Sequence, residues 1–234
     1  MACESMAAAA PVAEPEAVPP KLEVVDGFYP YPDLMREIGL RSELYVPRHY
    51  AGHRSRTPFI PADAVERIKA AFGFADIALH NVRERSGHFY VSPRRGAYRD
   101  SFFAHYDLNP DAGRAAYSLV IYLTPGAPRD SGTGLYRHRE TGFWRYPTAA
   151  EARRAGTSRA ALLRRFAEDG DDRRAWEELG RADNVYNRAV LFRADCYHSS
   201  LREFGGRPEE AKLYQAFFFH GTRARAPRAM VAAP

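Results

Sequence analysis

The chain has 234 residues, of which 45% are hydrophobic, and this is enough for one domain with a buried core. Its net charge of +5 could suit a nucleic acid, but the 34 basic residues are scattered among 29 acidic ones and form no stripe, which argues against such a partner. No apolar run approaches the roughly 20 residues that cross a bilayer, so we expect no membrane span.

The first 20 residues contain three glutamates and four prolines and no basic region, which is typical of a disordered leader rather than a signal peptide. We expect one domain over residues 21–222 and a flexible tail over residues 223–234. The two cysteines, Cys3 and Cys196, form no disulfide framework and no metal-binding spacing. A cytoplasmic location is therefore the expectation.

Two helices are predicted after a first short strand in "KLEVVDGFY". In "PYPDLMREIGLRSEL" the residues Leu34, Met35 and Ile38 are spaced to cover one helix face. In "IPADAVERIKAAFGF" an N-terminal proline, an apolar stripe and a closing Gly73 indicate the second helix. We expect both helices to pack against a sheet.

From "IALHNV" to residue 146 the chain consists of short aromatic and β-branched runs separated by Gly, Pro, Asn and Asp, which predicts an antiparallel sandwich or barrel. Residues 147–184 are rich in alanine and balanced in charge, which favours a helical insertion. We expect this insertion to form either a lid over a substrate or a layer that covers the sheet. The runs "VYNRAVLFRA" and "KLYQAFFF" then complete the sheet.

One stretch, "SFFAHYDLNP", places His105 and Asp107 two residues apart in a strand-like run, so that both side chains share a face. Two titratable groups that face inward need a partner. The later run "NRAVLFRADCYHSS" brings His198 directly after a buried strand. Two imidazoles and one carboxylate on neighbouring strands would form a facial triad that holds Fe(II) and leaves positions open for oxygen chemistry.

The ordered set of motifs "AHYD", "YSLVIYLTP", "SGTGLYRHRETG", "NRAVLFRADCYHSS" and "KLYQAFFF" resembles the Fe(II)- and 2-oxoglutarate-dependent oxygenases, and within them the prolyl-4-hydroxylase-like branch, including a little-characterised bacterial group. The resemblance extends over residues 22–220. It implies a mostly β fold with flanking helices around a double-stranded β-helix, a cupin-like jelly roll. It also implies Fe(II), 2-oxoglutarate and O2 as cofactor and cosubstrates, and hydroxylation as the reaction, because the third ligand is Asp107.

The same resemblance assigns roles to further residues. His105, Asp107 and His198 take the place of the metal ligands, and Tyr122 falls where the branch has a tyrosine that reaches the distal carboxylate of 2-oxoglutarate. Lys212 begins the last strand, where the family has a basic residue for that carboxylate, although it lies farther from the distal histidine than is usual. Arg207 and Arg202 are the alternatives.

For the substrate, Arg137 and Arg139 in "YRHRETG" are candidates to bind an acidic group at the pocket mouth. We therefore expect a small molecule such as an amino acid or a natural-product intermediate, with a peptide as the second class. Two other functions stay open at this stage. The triad could hold zinc in a cupin-like hydrolase or isomerase, or the chain could be a β-sandwich binding module without catalytic activity.

Overall fold

The computed structural model describes residues 21–47, 52–93, 102–108 and 115–224. The predictions for the leader, for Cys3 and for the tail beyond residue 224 lie outside these residues. The helices are α1 (Pro32–Arg41), α2 (Ala64–Phe72), α3 (Ala149–Arg154) and α4 (Arg159–Glu168). The strands are β1 (Glu23–Val25), β2 (Leu44–Tyr45), β3 (His53–Ser55), β4 (Phe74–Leu79), β5 (His88–Ser92), β6 (Ala115–Tyr122), β7 (Thr133–His138), β8 (Trp176–Ala182), β9 (Ala189–Arg193), β10 (His198–Ser200) and β11 (Lys212–Arg223).

The strands form two antiparallel sheets. The large sheet has the order β1-β9-β6-β11-β5-β3-β2, with β4 paired to the far end of β11, and the small sheet has the order β10-β7-β8. Residues 102–108 extend the small sheet, because His105 bridges His198 of β10. When residues 102–108 are counted with the small sheet, the chain from β5 onward changes sheet at every connection except that between β7 and β8. This strand order is a jelly roll, or double-stranded β-helix, so the predicted fold class is confirmed.

Alternation along β6 divides the interior into two layers. Leu119 and Ile121 point away from the small sheet and pack in a core with α1 and α2. Val120 and Tyr122 point toward the small sheet and pack with its residue Leu135. The two predicted helices are therefore confirmed as a layer that covers the outer face of the large sheet.

Helix α2 ends where its sequence predicts. Gly73 has φ +67°, a left-handed conformation that costs glycine little, and its N–H donates to the carbonyl of Lys69. Ile68 and Phe72 are buried as the apolar stripe requires. None of the four helices in the described part of the chain could span a bilayer.

The helical prediction for residues 147–184 is correct only in part. Thr148 and Glu151 form a capping box at the start of α3, and Ser158 caps α4. The segment Trp176–Ala182 is strand β8, paired with β7, and not helix. Pairing with a buried neighbour strand overrides the helix propensity of "WEELG".

Candidate metal centre

Three side chains from two neighbouring strands converge. His105 and His198 face each other across the small sheet and exchange both backbone hydrogen bonds, at 3.0 and 2.9 Å. His198 Nε2 lies 3.2 Å from Asp107 Oδ2, and His105 Nε2 lies 3.9 Å from Asp107 Oδ1. One ligand atom of each residue lies within 4.8 Å of the other two. The structure thus brings together the three residues that the sequence predicts as a group.

Both imidazoles are oriented by backbone carbonyls. His105 Nδ1 lies 2.9 Å from the carbonyl oxygen of Phe103, and His198 Nδ1 lies 3.0 Å from that of Cys196. Because a carbonyl can only accept, each Nδ1 carries a proton, and Nε2 is the ring nitrogen that faces the shared centre. A metal ion that bound there would replace any proton on Nε2.

Asp107 is held in its ionised form. Ser118, from β6 of the large sheet, donates a hydrogen bond of 2.6 Å to Asp107 Oδ2. Burial opposes ionisation, but the charge of His198 and the hydrogen bonds from His198 and Ser118 outweigh it and lower the pKa of Asp107. Desolvation and the facing His198 lower the pKa of His105 to about 4, so its imidazole is neutral at pH 7. For His198, burial is outweighed by the Asp107 charge, which raises its pKa.

This donor set fits a mononuclear Fe(II) ion. Two imidazole nitrogens and one carboxylate oxygen on one side of a centre leave the remaining coordination positions open.

A second group, His138, Glu140 and Asp169, also has clustered ligand atoms. There Arg165 pairs with both carboxylates, at 2.5 and 2.9 Å, so this second group is an ion-pair network.

A buried cation lies farther along the same interior face. Lys212 is 2% exposed, and its Nζ donates to Ser200 Oγ at 2.6 Å and to the carbonyl of Gly132 at 3.0 Å. Neither hydrogen-bond partner carries a charge. Burial lowers the pKa of Lys212 to about 7, and the charge of Glu203 opposes this shift in part. A buried ammonium group with neutral hydrogen-bond partners is stabilised by an anion that binds beside it.

Other polar groups surround this lysine. The Tyr122 ring lies 5.8 Å from Lys212 Nζ, and its hydroxyl lies 2.7 Å from Thr133 Oγ1. Thr133 is the register partner of Ser200. Ser200 follows His198 by two residues and therefore shares its face of β10. The structure thus places Lys212 and Tyr122 together, in the interior beside the histidine-aspartate group.

The other predicted arginines lie elsewhere. Arg207 and Arg202 are exposed and pair with Glu210 and Asp130, so neither reaches Lys212 or the metal centre. Arg137 pairs with Glu177 of β8 at 2.8 Å, and Arg139 is exposed just after β7. The structure does not bring these four arginines to the centre.

A cleft of about 310 Å³ adjoins the centre through His105. We call it the aromatic cleft, and its walls are formed by Phe103, His105, Tyr106, Leu163, Phe166 and Tyr197. Leu163 and Phe166 belong to α4, so the insertion forms one wall. Phe166, on the buried face of α4, also packs in a core with Trp176 and Tyr197. The insertion therefore both covers the small sheet and shapes the cleft.

Sequence reasoning missed several polar residues around the centre. Ser200 could have been found, because strand alternation places it on the same face as His198. Thr133 follows from the register with Ser200, which a sequence alone does not provide. Ser118 carries no local pattern that links it to Asp107, which precedes it by 11 residues.

The fold and the site define a jelly-roll protein with a candidate mononuclear metal centre of two histidines and one aspartate. The chain belongs to DUF6445, a family of unknown function, whose model matches residues 16–203. No curated protein matches the chain.

Several solved structures are similar to the chain, and two kinds of protein are represented. A prolyl-4-hydroxylase from Pseudomonas putida is 17% identical with a TM-score of 0.40, over 88% of this chain and 93% of that one. HygX from Streptomyces hygroscopicus, with nickel and 2-oxoglutarate bound, is 15% identical with a TM-score of 0.42, over 90% and 88%. A prolyl hydroxylase from Trichoplax adhaerens, in complex with a hypoxia inducible factor peptide fragment, is 10% identical with a TM-score of 0.40, over 86% and 83%.

Proposed function

We propose that the protein is an Fe(II)- and 2-oxoglutarate-dependent oxygenase that hydroxylates an unactivated carbon of a small molecule. The observation that carries this proposal is the pairing of two sites on one interior face. His198 belongs to the candidate metal centre, and Ser200, two residues farther along β10, contacts the buried Lys212. Two residues of a strand span about 7 Å, a distance that a five-carbon dicarboxylate can bridge.

In this function His105, Asp107 and His198 hold the iron. Their Nδ1 hydrogen bonds and the Ser118 hydroxyl fix the three ligand atoms before any metal binds, which limits the reorganisation that binding requires. With 2-oxoglutarate and O2, a bound Fe(II) supplies an oxidant strong enough to insert oxygen into a C–H bond. The task of the protein side chains is to orient these reactants and to exclude water.

Lys212 binds the distal carboxylate of 2-oxoglutarate. Its ammonium supplies the charge, and Ser200, Tyr122 and Thr133 supply hydroxyl groups around it. An anion at this position would stabilise the buried ammonium, whose hydrogen-bond partners are neutral. Lys212 therefore supports a dicarboxylate cosubstrate, which a zinc hydrolase or a simple binding module would not need.

The test is turnover of 2-oxoglutarate by the full chain. Protein loaded anaerobically with Fe(II) is mixed with 2-oxoglutarate, exposed to O2, and assayed for succinate and for O2 consumption. Asp107→Ala is expected to bind Fe(II) at least a hundredfold more weakly and to form no succinate. Lys212→Met is expected to keep Fe(II) but to weaken 2-oxoglutarate binding by roughly 30- to 1000-fold, because it removes one partner of a buried charge pair.

Arg207→Ala is the matched control, because this basic residue is exposed and lies outside the site. It is expected to behave as the unchanged protein does. Zinc or iron binding without any consumption of 2-oxoglutarate would favour the cupin-like hydrolase or isomerase. A chain that binds no metal and tolerates Asp107→Ala would be a binding module.

A further inference from the structure

An arginine outside the candidate ligand group holds the backbone of one of its members. Arg85 lies in the loop between β4 and β5, and its Nη1 donates a hydrogen bond of 2.8 Å to the carbonyl oxygen of Asp107. The Arg85 guanidinium also lies over the Phe218 ring, 5.2 Å from the ring centroid. Stacking on an aromatic face fixes the plane of a guanidinium, so the direction of its N–H groups is fixed as well.

The loop that carries Arg85 is itself fastened to the large sheet. Ser86 Oγ accepts a hydrogen bond of 3.0 Å from the N–H of Phe218 in β11 and lies 2.7 Å from the carbonyl oxygen of the same residue. The N–H of Arg85 donates to the carbonyl of Asn81 at 2.9 Å, which closes a turn. The loop therefore presents Arg85 to Asp107 from a fixed base.

Asp107 is held at two points from the side of the large sheet. Arg85 binds its carbonyl, and Ser118 of β6 donates to its carboxylate at 2.6 Å. Phe218, beneath the guanidinium, is the register partner of Ser118, so the two contacts start from neighbouring positions. Residues 102–108 pair with β10 through an isolated bridge rather than a continuous ladder. The orientation of Asp107 therefore depends strongly on these two contacts.

We propose that Arg85 is a positioning residue for the candidate metal centre, and that it places the Asp107 carboxylate by holding the Asp107 carbonyl. Metal–oxygen distances stay within about 0.2 Å of their usual values, so a small rotation of this backbone weakens metal binding. Groups that orient a ligand typically contribute roughly 10- to 100-fold in metal affinity. The inference rests on the metal centre of the proposed function, but not on its reaction with 2-oxoglutarate and O2.

The charge of Arg85 and its hydrogen bond act on metal binding in opposite directions. A guanidinium near the centre repels a metal cation, so loss of the charge alone would strengthen binding. Loss of the hydrogen bond weakens binding, because the Asp107 backbone is then free to rotate. The direction of the change in metal affinity therefore separates the two effects.

The test is Mn(II) binding by the full chain without 2-oxoglutarate, measured from the EPR signal of free Mn(II). Arg85→Met keeps an unbranched side chain over Phe218 but has no donor, and it is expected to raise the dissociation constant by roughly 10- to 100-fold. Arg85→Gln, whose side chain is too short to reach the carbonyl, is expected to show the same loss. Arg85→Lys keeps a donor and the charge, and it should bind Mn(II) more tightly than Arg85→Met.

Arg54 gives the matched control. Its Nη1 donates to the carbonyl of Glu84 at 2.7 Å, so it fastens the same loop by the same kind of bond without contacting Asp107. Arg54→Met is expected to leave Mn(II) affinity unchanged, even if the Tm of the metal-free protein falls. Calorimetry on each metal-free variant shows that it is folded.

Three results would each overturn the positioning role. These are unchanged or tighter Mn(II) binding in the folded Arg85→Met or Arg85→Gln protein, equal losses in Arg85→Met and Arg54→Met, and absence of Mn(II) binding by the unchanged protein. If the Arg85 variants behave as expected but the unchanged protein consumes no 2-oxoglutarate, the oxygenase fails and the role of Arg85 stands.

Discussion

Lys212 illustrates how a single residue can be chosen from the sequence. It begins an apolar strand, whereas Arg207 lies in "GGRPEE", and the structure places the lysine in the interior and the arginine in solvent. The strand fixes Lys212 between Ser200 and the Gly132 carbonyl. Neither neighbour carries a charge. The protonation state of this one side chain should therefore control how well the interior accepts an anion.

The first prediction concerns the pH dependence of 2-oxoglutarate binding. Burial lowers the pKa of Lys212 from 10.5 to about 7, so the free protein carries the ammonium below that pH and loses it above. A dicarboxylate binds the charged form, and above pH 7 each complex must take up a proton. The dissociation constant, measured by calorimetry with Mn(II) present, is expected to rise by up to tenfold per pH unit between pH 7.5 and 9.

In Lys212→Met this slope should disappear, and binding should be weak at every pH. The Arg207→Ala control should keep the full slope. An affinity that is independent of pH in the unchanged protein, from pH 6.5 to 9, would show that Lys212 does not carry the distal carboxylate.

At the scale of elements, patterns within one segment were predicted well and pairings between segments were not. The apolar stripe of α2 and its Gly73 terminus are local, and they were predicted. The segment "WEELG" has helix-forming residues, yet Trp176–Ala182 forms a strand because its backbone pairs with β7 in the small sheet. The candidate ligand group was predicted because His105 and Asp107 share a strand face. Thr133 was missed, because only the register between β7 and β10 places it beside Ser200.

The second prediction concerns Gly132, which directly precedes β7 and lies against the end of its partner strand β8. A Cβ added at Gly132 would lie 1.8 Å from the carbonyl oxygen of Ala182 and 3.0 Å from the backbone nitrogen of Asn184. Both are backbone atoms that cannot rotate away. Gly132→Ala is expected to cost about 3 kcal/mol or more, which is a fall in Tm of roughly 6 °C or more by calorimetry.

Gly180, on the partner strand β8, is the matched control for this prediction. A Cβ there meets nothing within 4 Å, so Gly180→Ala should leave Tm unchanged or slightly higher. The carbonyl of Gly132 also accepts a hydrogen bond from the Lys212 ammonium. Because the substitution shifts this carbonyl, any Gly132→Ala protein that folds should bind 2-oxoglutarate more weakly. Equal Tm values for Gly132→Ala and Gly180→Ala would contradict this prediction, because they would mean that the backbone near Ala182 can move away from residue 132 without a loss of stability.

On the scale of the whole molecule, the centre joins parts that are far apart along the chain. Residues 102–108 supply two candidate ligands, β10 supplies the third, and Ser118 of the large sheet orients the carboxylate. The jelly roll brings these segments together by alternating the chain between its two sheets. A metal ion at the centre would bind only the folded arrangement, since the unfolded chain cannot hold the three ligands in place. Metal binding and global stability should therefore be coupled.

The third prediction is that a divalent ion raises the melting temperature of the full chain. Mn(II) serves as a stand-in for Fe(II) that does not oxidise in air. At a hundredfold excess over its dissociation constant a ligand stabilises the fold by about 2.7 kcal/mol, or a rise in Tm of roughly 5–10 °C. Asp107→Ala should abolish the rise. Glu140→Ala, in the second cluster, should keep it, and the opposite pattern would place the metal at His138 and Asp169 instead.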